Sequence, residues 1–109
     1  MKLDIKAVRK VMLDAARVAA DDRWPVLESL AEMQFSKLST ALYEIQRLYA
    51  AGRLDRRSAQ ELAIAEQNVV RGVFAGIRGL GTLTAAVATR AATHAAAAEV
   101  NAAIGFKLL

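Results

Sequence analysis

Residues 77–83 read Ile77-Arg78-Gly79-Leu80-Gly81-Thr82-Leu83, and whether they bend determines whether the second half of this 109-residue chain is one helix or two. Two glycines this close cost a helix interior roughly 2 kcal/mol relative to alanine, and Thr82 is a residue type that caps a fresh helix. Periodicity argues the other way. Ala63, Val70, Ile77, Thr84, Ala91 and Ala98 recur at heptad spacing, as do Glu66, Val73, Leu80, Val87, His94 and Asn101, while Asn68, Arg71, Arg78, Thr82, Thr89 and Thr93 keep to another side. An apolar stripe that holds its phase through the glycines is the seam of a coiled-coil-like helix. It predicts one continuous helix over residues 58–104, roughly 70 Å long at 1.5 Å per residue.

Upstream, Ser58 and Glu61 have the spacing of a capping box, which starts that helix at Ser58. Residues 25–51 form the strongest amphipathic segment, with Leu27, Leu30, Ala31, Phe35, Leu38, Leu42, Ile45, Leu48 and Tyr49 on one face. Gly52 is placed as its C-cap. Residues 3–21 form another, with Ile5, Val8, Met12, Ala15, Ala16 and Ala19 inward and the pairs Lys10/Asp14 and Arg17/Asp21 four apart. Asp21-Asp22-Arg23-Trp24-Pro25 divides the two, because proline disfavours helical geometry at the preceding residue and suits the first turn of the next helix. Trp24 is expected to plug the bundle end.

The expected fold is therefore a single all-α domain spanning 1–109. It is an antiparallel helical hairpin or bundle of three helices at about 3–21, 25–51 and 58–104. The alternative is a four-helix up-and-down bundle broken at Gly79–Gly81. End to end, the first two helices match the third in length. A lone hairpin cannot enclose Phe35, Leu38, Ile77 and Leu80 from all sides, so the three-helix reading calls for self-association into a dimer or higher homo-oligomer. Its interface is Val73, Ile77, Leu80, Thr84, Val87, Ala91, His94, Ala98 and Asn101; His94 is expected to be an exposed or partly buried histidine with no special task, the alternative being a register-setting polar contact shared with Asn101. Residues 85–103 contain 11 alanines, which favours close helix packing, as does the small-xxx-small pattern Gly72-Val-Phe-Ala-Gly76.

Composition narrows the chemistry. Cysteine is absent, which removes disulfides, thiolate nucleophiles and thiolate metal sites. One histidine, with no Glu-x-x-His pair anywhere, offers neither a metal site nor the carboxylate set of a di-iron bundle. Gly79-Leu-Gly81 lacks the strand and lysine of a phosphate loop. No catalytic, metal or cofactor-binding residues are assigned, and no enzyme activity is expected.

The net charge of +4 arises from 15 basic and 11 acidic residues spread along the chain. Arg53, Arg56 and Arg57 make the densest basic patch. With Arg71 and Arg78 they define an alternative function, the binding of nucleic acid or an acidic partner, but nucleic acid is disfavoured because no aromatics interleave with the basic residues. The longest stretch without a charge, between Arg78 and Arg90, is well short of the roughly 20 residues a spanning helix needs. Charges interrupt the N-terminal segment as a signal peptide, and a cytoplasmic location is expected. Membrane activity through the Gly/Ala-rich C-terminal helix is a further alternative that is not favoured. The tail Ile104-Gly105-Phe106-Lys107-Leu108-Leu109 has three destinations, in order of preference the chain's own bundle, another subunit and a membrane surface. The leading functional expectation is a structural or adaptor protein working by helix–helix contact with itself or with an unidentified protein partner.

Overall fold

The computed structural model describes residues 2–109 and is an all-α bundle of four antiparallel helices, with no strand among the described residues. They are α1 (Ile5–Ala20), α2 (Trp24–Ala50), α3 (Arg56–Ala75) and α4 (Thr82–Ile104), with a short 3₁₀ turn, Asp21–Arg23, between the first two. The molecule measures 43 × 21 × 19 Å. A 27-residue α2 is about 40 Å long and sets the long dimension by itself. One helix over 58–104 does not fit in that length.

The all-α bundle is as expected, but the continuous third helix is not, and the four-helix alternative describes the chain. α3 stops at Ala75 and α4 restarts at Thr82. Gly79 and Gly81 take φ of 86° and 87°, a region where a Cβ is strained, so the backbone turns where only glycine turns easily. Leu80 between them is buried, and Arg23 from the opposite corner donates to the carbonyls of Gly79 at 2.6 Å and Leu80 at 3.1 Å. The two loops at this end are thereby tied together.

The turn also changes which face of the last helix points inward. On α3 the heptad stripe is internal, with Ala63 and Val70 buried and Val73 packed against the core. On α4 the buried set is Ala85, Ala88, Thr89, Ala92, Thr93, Ala96, Val100 and Ile104. At 3.6 residues per turn this lies roughly half a turn away from Thr84, Val87, Ala91, His94 and Ala98. The expected seam therefore runs along the outside of α4. Thr89 and Thr93, expected on a polar face, are inside because each hydroxyl donates to a carbonyl one turn back, Ala85 O at 2.8 Å and Thr89 O at 3.1 Å.

Around the bundle each helix packs on its sequence neighbours, and α1 closes the ring against α4 in the most extensive of the contacts. α4 brings alanines to that contact, while α1 brings Val8, Met12, Ala16 and Ala20. Larger side chains fill the centre, with Phe35 of α2 edge-to-face on Phe74 of α3 at 5.6 Å. Alanine thus supplies the close packing expected of this segment. Gly72 does not, since it is exposed with open space where its Cβ would be. At the far end Gln46 of α2 accepts from Leu3 N and donates to Ala103 O, both at 2.9 Å, joining the start of α1 to the end of α4.

Two local expectations change. Arg17 pairs with Asp14 at 3.8 Å and not with Asp21, because Asp21 leaves the helix with φ of 52°. α3 starts two residues early, and its N-cap is Asp55, whose carboxylate accepts from Ser58 N at 2.7 Å. Glu61 does not complete a box with Ser58 and instead pairs with Arg57 at 3.2 Å. Trp24 is half-buried against the core at the first corner, and α2 carries Pro25 in its first turn.

Alanine at Gly79 or Gly81 should destabilise the protein by about 1–3 kcal/mol in urea titrations, more at Gly81, whose ψ of 148° is nearly glycine-specific. A continuous helix would instead be stabilised by both changes. Spin labels at Asn68 and His94 should lie within about 20 Å, as befits side chains on helices whose axes are about 8–10 Å apart. One straight helix would separate them by roughly 39 Å.

The cap has a pH signature. The Ser58 backbone N–H, then its hydroxyl, hold the Asp55 carboxyl below its ordinary value of 3.8. A carboxyl depressed on folding contributes stability that is complete above its unfolded pKa and is lost as pH falls through the folded one. Asp55→Ala should lower the melting temperature at neutral pH and flatten its decline in acid, whereas Ser58→Ala, which keeps the N–H, should do less. Equal effects from the two variants would return the cap to Ser58.

Candidate functional site

An open groove of about 620 Å³ runs between α3 and α4, the least extensively packed of the four neighbouring helix pairs. Gln67, Asn68 and Arg71 line it from α3. Leu83, Val87, Arg90 and His94 line it from α4, with Ala86, Thr89, Ala91 and Thr93 completing the wall. Its existence follows from side-chain size. Small residues on the flank of α4 leave unfilled the space that larger residues would occupy.

Its electrostatics are one-sided. Two arginines and the only histidine stand in it, and no carboxylate lines it. Arg71 bonds Asn68 Oδ1 at 3.0 Å, while Arg90 and His94 form no hydrogen bond or ion pair among the described residues. Between Leu62 and Ala98 the chain carries Arg71, Arg78 and Arg90 against Glu66 alone. Beside the cations, Leu83 is 77% exposed and Val87 43%, one turn apart on α4.

The expected interface residues scatter. Leu80 is buried in the chain's own core, and Val73 and Ile77 are packed against it. Val87, Ala91 and His94 belong to the groove, and Thr84 and Ala98 lie on the outer side of α4, Ala98 exposed. Asn101 faces the tail and not His94: its Oδ1 accepts from Leu108 N at 2.8 Å and Leu109 N at 2.9 Å. Phe35, Leu38 and Leu80 are enclosed within one chain, so their burial does not require a dimer.

The tail folds onto its own bundle. Leu108 is buried, Phe106 meets Tyr49 edge-on at 4.9 Å, and Gln60 donates to Lys107 O at 2.8 Å. This divides the expected basic patch. Arg56 lies over the Phe106 ring at 4.9 Å and Arg57 is paired with Glu61, while Arg53 is exposed in the α2–α3 loop. Arg71 stands in the α3–α4 groove, and Arg78 is exposed in the glycine turn.

Sequence reasoning passed over Gln67, Asn68, Leu83 and Arg90 as site residues. A signal for them was present. Leu83 is a large apolar side chain outside the heptad stripe, in a segment almost without acids. Among the described residues no group of three or more His, Asp and Glu is arranged to hold a metal ion, and no helix is long and apolar enough to cross a membrane.

Arg56→Ala should cost about 0.5–1 kcal/mol through the lost ring contact, with faster amide exchange at Leu108 and Leu109. Arg57→Ala, which breaks one exposed ion pair, should shift stability by no more than about 0.5 kcal/mol. Equal, negligible effects would make both arginines a solvent-facing patch.

Comparison of the chain with known protein families, with curated proteins and with solved structures finds no match.

Proposed function

We propose that this chain is a non-enzymatic adaptor module that acts by docking a helix of another protein along the α3–α4 side. The observation that carries this reading is the contrast between a closed core and an open flank. Phe35, Phe74, Met12, Leu27 and Leu42 are fully enclosed, yet Leu83 and Val87 remain in water beside a groove about 620 Å³ in volume. Exposed apolar side chains clustered at a concave site mark interaction surfaces more often than isolated ones do. In helix-in-groove docking an amphipathic helix lays its apolar face along a groove, and Leu83, Val87 and Ala91, one turn apart on α4, give this groove an apolar wall to receive it.

A second reading is self-association through the outer face of α4, favoured by the heptad spacing of the small residues Thr84, Ala91 and Ala98. In that case light scattering would report a dimer, and Ala98→Arg would return it to a monomer.

A photo-crosslinking residue at Val87, introduced into the chain in its own cell, should yield a discrete protein adduct, while the same residue at Val18 on α1, outside the groove, should not. Val18 is as exposed as Leu83, at 77%, and serves as the control for random collision. Adducts of equal yield and identity at both positions would reject the groove as the functional surface.

A further inference from the structure

We infer that the segment docked in the α3–α4 groove is an acidic amphipathic helix, with carboxylates flanking its apolar anchors. This rests on the adaptor reading and adds the chemistry of the partner. Three observations lead to it.

The first is charge. Arg71 and Arg90 line the groove from opposite walls, no carboxylate answers them, and Arg90 forms no hydrogen bond or ion pair among the described residues. An apposed partner bearing Asp or Glu is steered toward such a surface, and a basic one is repelled.

The second is the backbone. Beyond the first turn of α4, both walls are helices whose amide and carbonyl groups bond internally, so along most of its length the groove offers no main-chain partners to an extended peptide. A segment that enters it must satisfy its own backbone, and a helix does so. The third is the pairing of anchor and charge. Val87, Arg90, Ala91 and His94 span two turns of α4, so apolar contacts alternate with a guanidinium and an imidazole over a length that a helix of a few turns can cover.

Nucleic acid fits this groove less well. No aromatic ring lines it to stack a base, and two guanidinium groups are a short track for a phosphate backbone.

The test is a display library of helices about 18 residues long, with leucine or methionine fixed at anchor positions and the flanking positions randomised. It is selected on the full chain, with Val87→Arg as counter-selection. Asp and Glu should be enriched over Lys and Arg at the flanks, and a selected peptide should bind at least about fivefold more weakly when its Glu residues become Gln. On the Arg71→Glu/Arg90→Glu variant the same library should select Lys and Arg. These positions are exposed, and an unchanged thermal melt would show that the variant folds.

Three results would overturn the inference, each differently. Charge-neutral binders that depend on Val87 leave helix docking standing and remove the acidic partner. An absence of binders that depend on Val87 removes the groove itself, and with it the adaptor reading. Single-stranded DNA that binds more tightly than the selected helix, and is lost with the two arginines, replaces the acidic helix with a nucleic acid.

Discussion

Everything in this fold follows from the backbone at Gly79 and Gly81. With φ near +87° at both, the chain cannot continue α3, and Leu80 is carried between them into the core. The carbonyls released by the turn are not left bare, because Arg23 donates to two of them from the α1–α2 corner. That interaction joins residues more than fifty positions apart in sequence and links the two loops at one end of the bundle. With the second half of the chain folded back on itself, the core closes without a second chain. The face of α4 that a continuous helix would turn inward points to solvent.

This reversal gives the alanine-rich segment its role. Ala85, Ala88, Ala92 and Ala96 are entirely buried, yet none has enough apolar surface to drive burial far by itself. They allow α1 to approach α4 so that Val8, Met12 and the rings of Phe35 and Phe74 can share one densely packed interior. Polar atoms taken along are satisfied locally. Ser39, Thr89 and Thr93 each donate to a helical carbonyl, and no buried side-chain nitrogen or oxygen among the described residues lacks a partner. The small size that makes α4 a good neighbour for α1 makes it a poor filler on the α3 side, and the groove is the result.

Much of the architecture was legible in residue pattern. α1 and α2 follow from the spacing of Val8, Met12 and Ala16 and of Leu27, Phe35, Leu38 and Leu42, because burial at 3.6-residue intervals leaves a direct trace. The helix break was legible in composition but was outweighed by a heptad pattern. That pattern is uninformative in α4, where alanine occupies most faces and every phase shows an apolar stripe. The cap at Asp55 was hidden by Ser58 and Glu61, which match a capping motif while the aspartate three residues earlier takes the N–H. Of the candidate site, Val87, Ala91, His94 and Arg71 were named for other reasons. Their convergence depends on two helices being antiparallel, which no local spacing encodes.

If the proposed docking holds, the bundle separates stability from recognition by face. Its interior is neutral, and its ends are closed by specific hydrogen bonds, Arg23 at one and Gln46 with Asn101 at the other. None of those ties includes Leu83, Val87, Arg90 or His94. Surface residues outside such features are worth little to stability, typically within about 0.5 kcal/mol. The apolar and cationic groups of the α3–α4 side are thus not required by the fold as its other residues are. A surface whose residues contribute little to folding, yet combine exposed leucine and valine with cations that no carboxylate answers, is what the proposed docking of a partner helix would use.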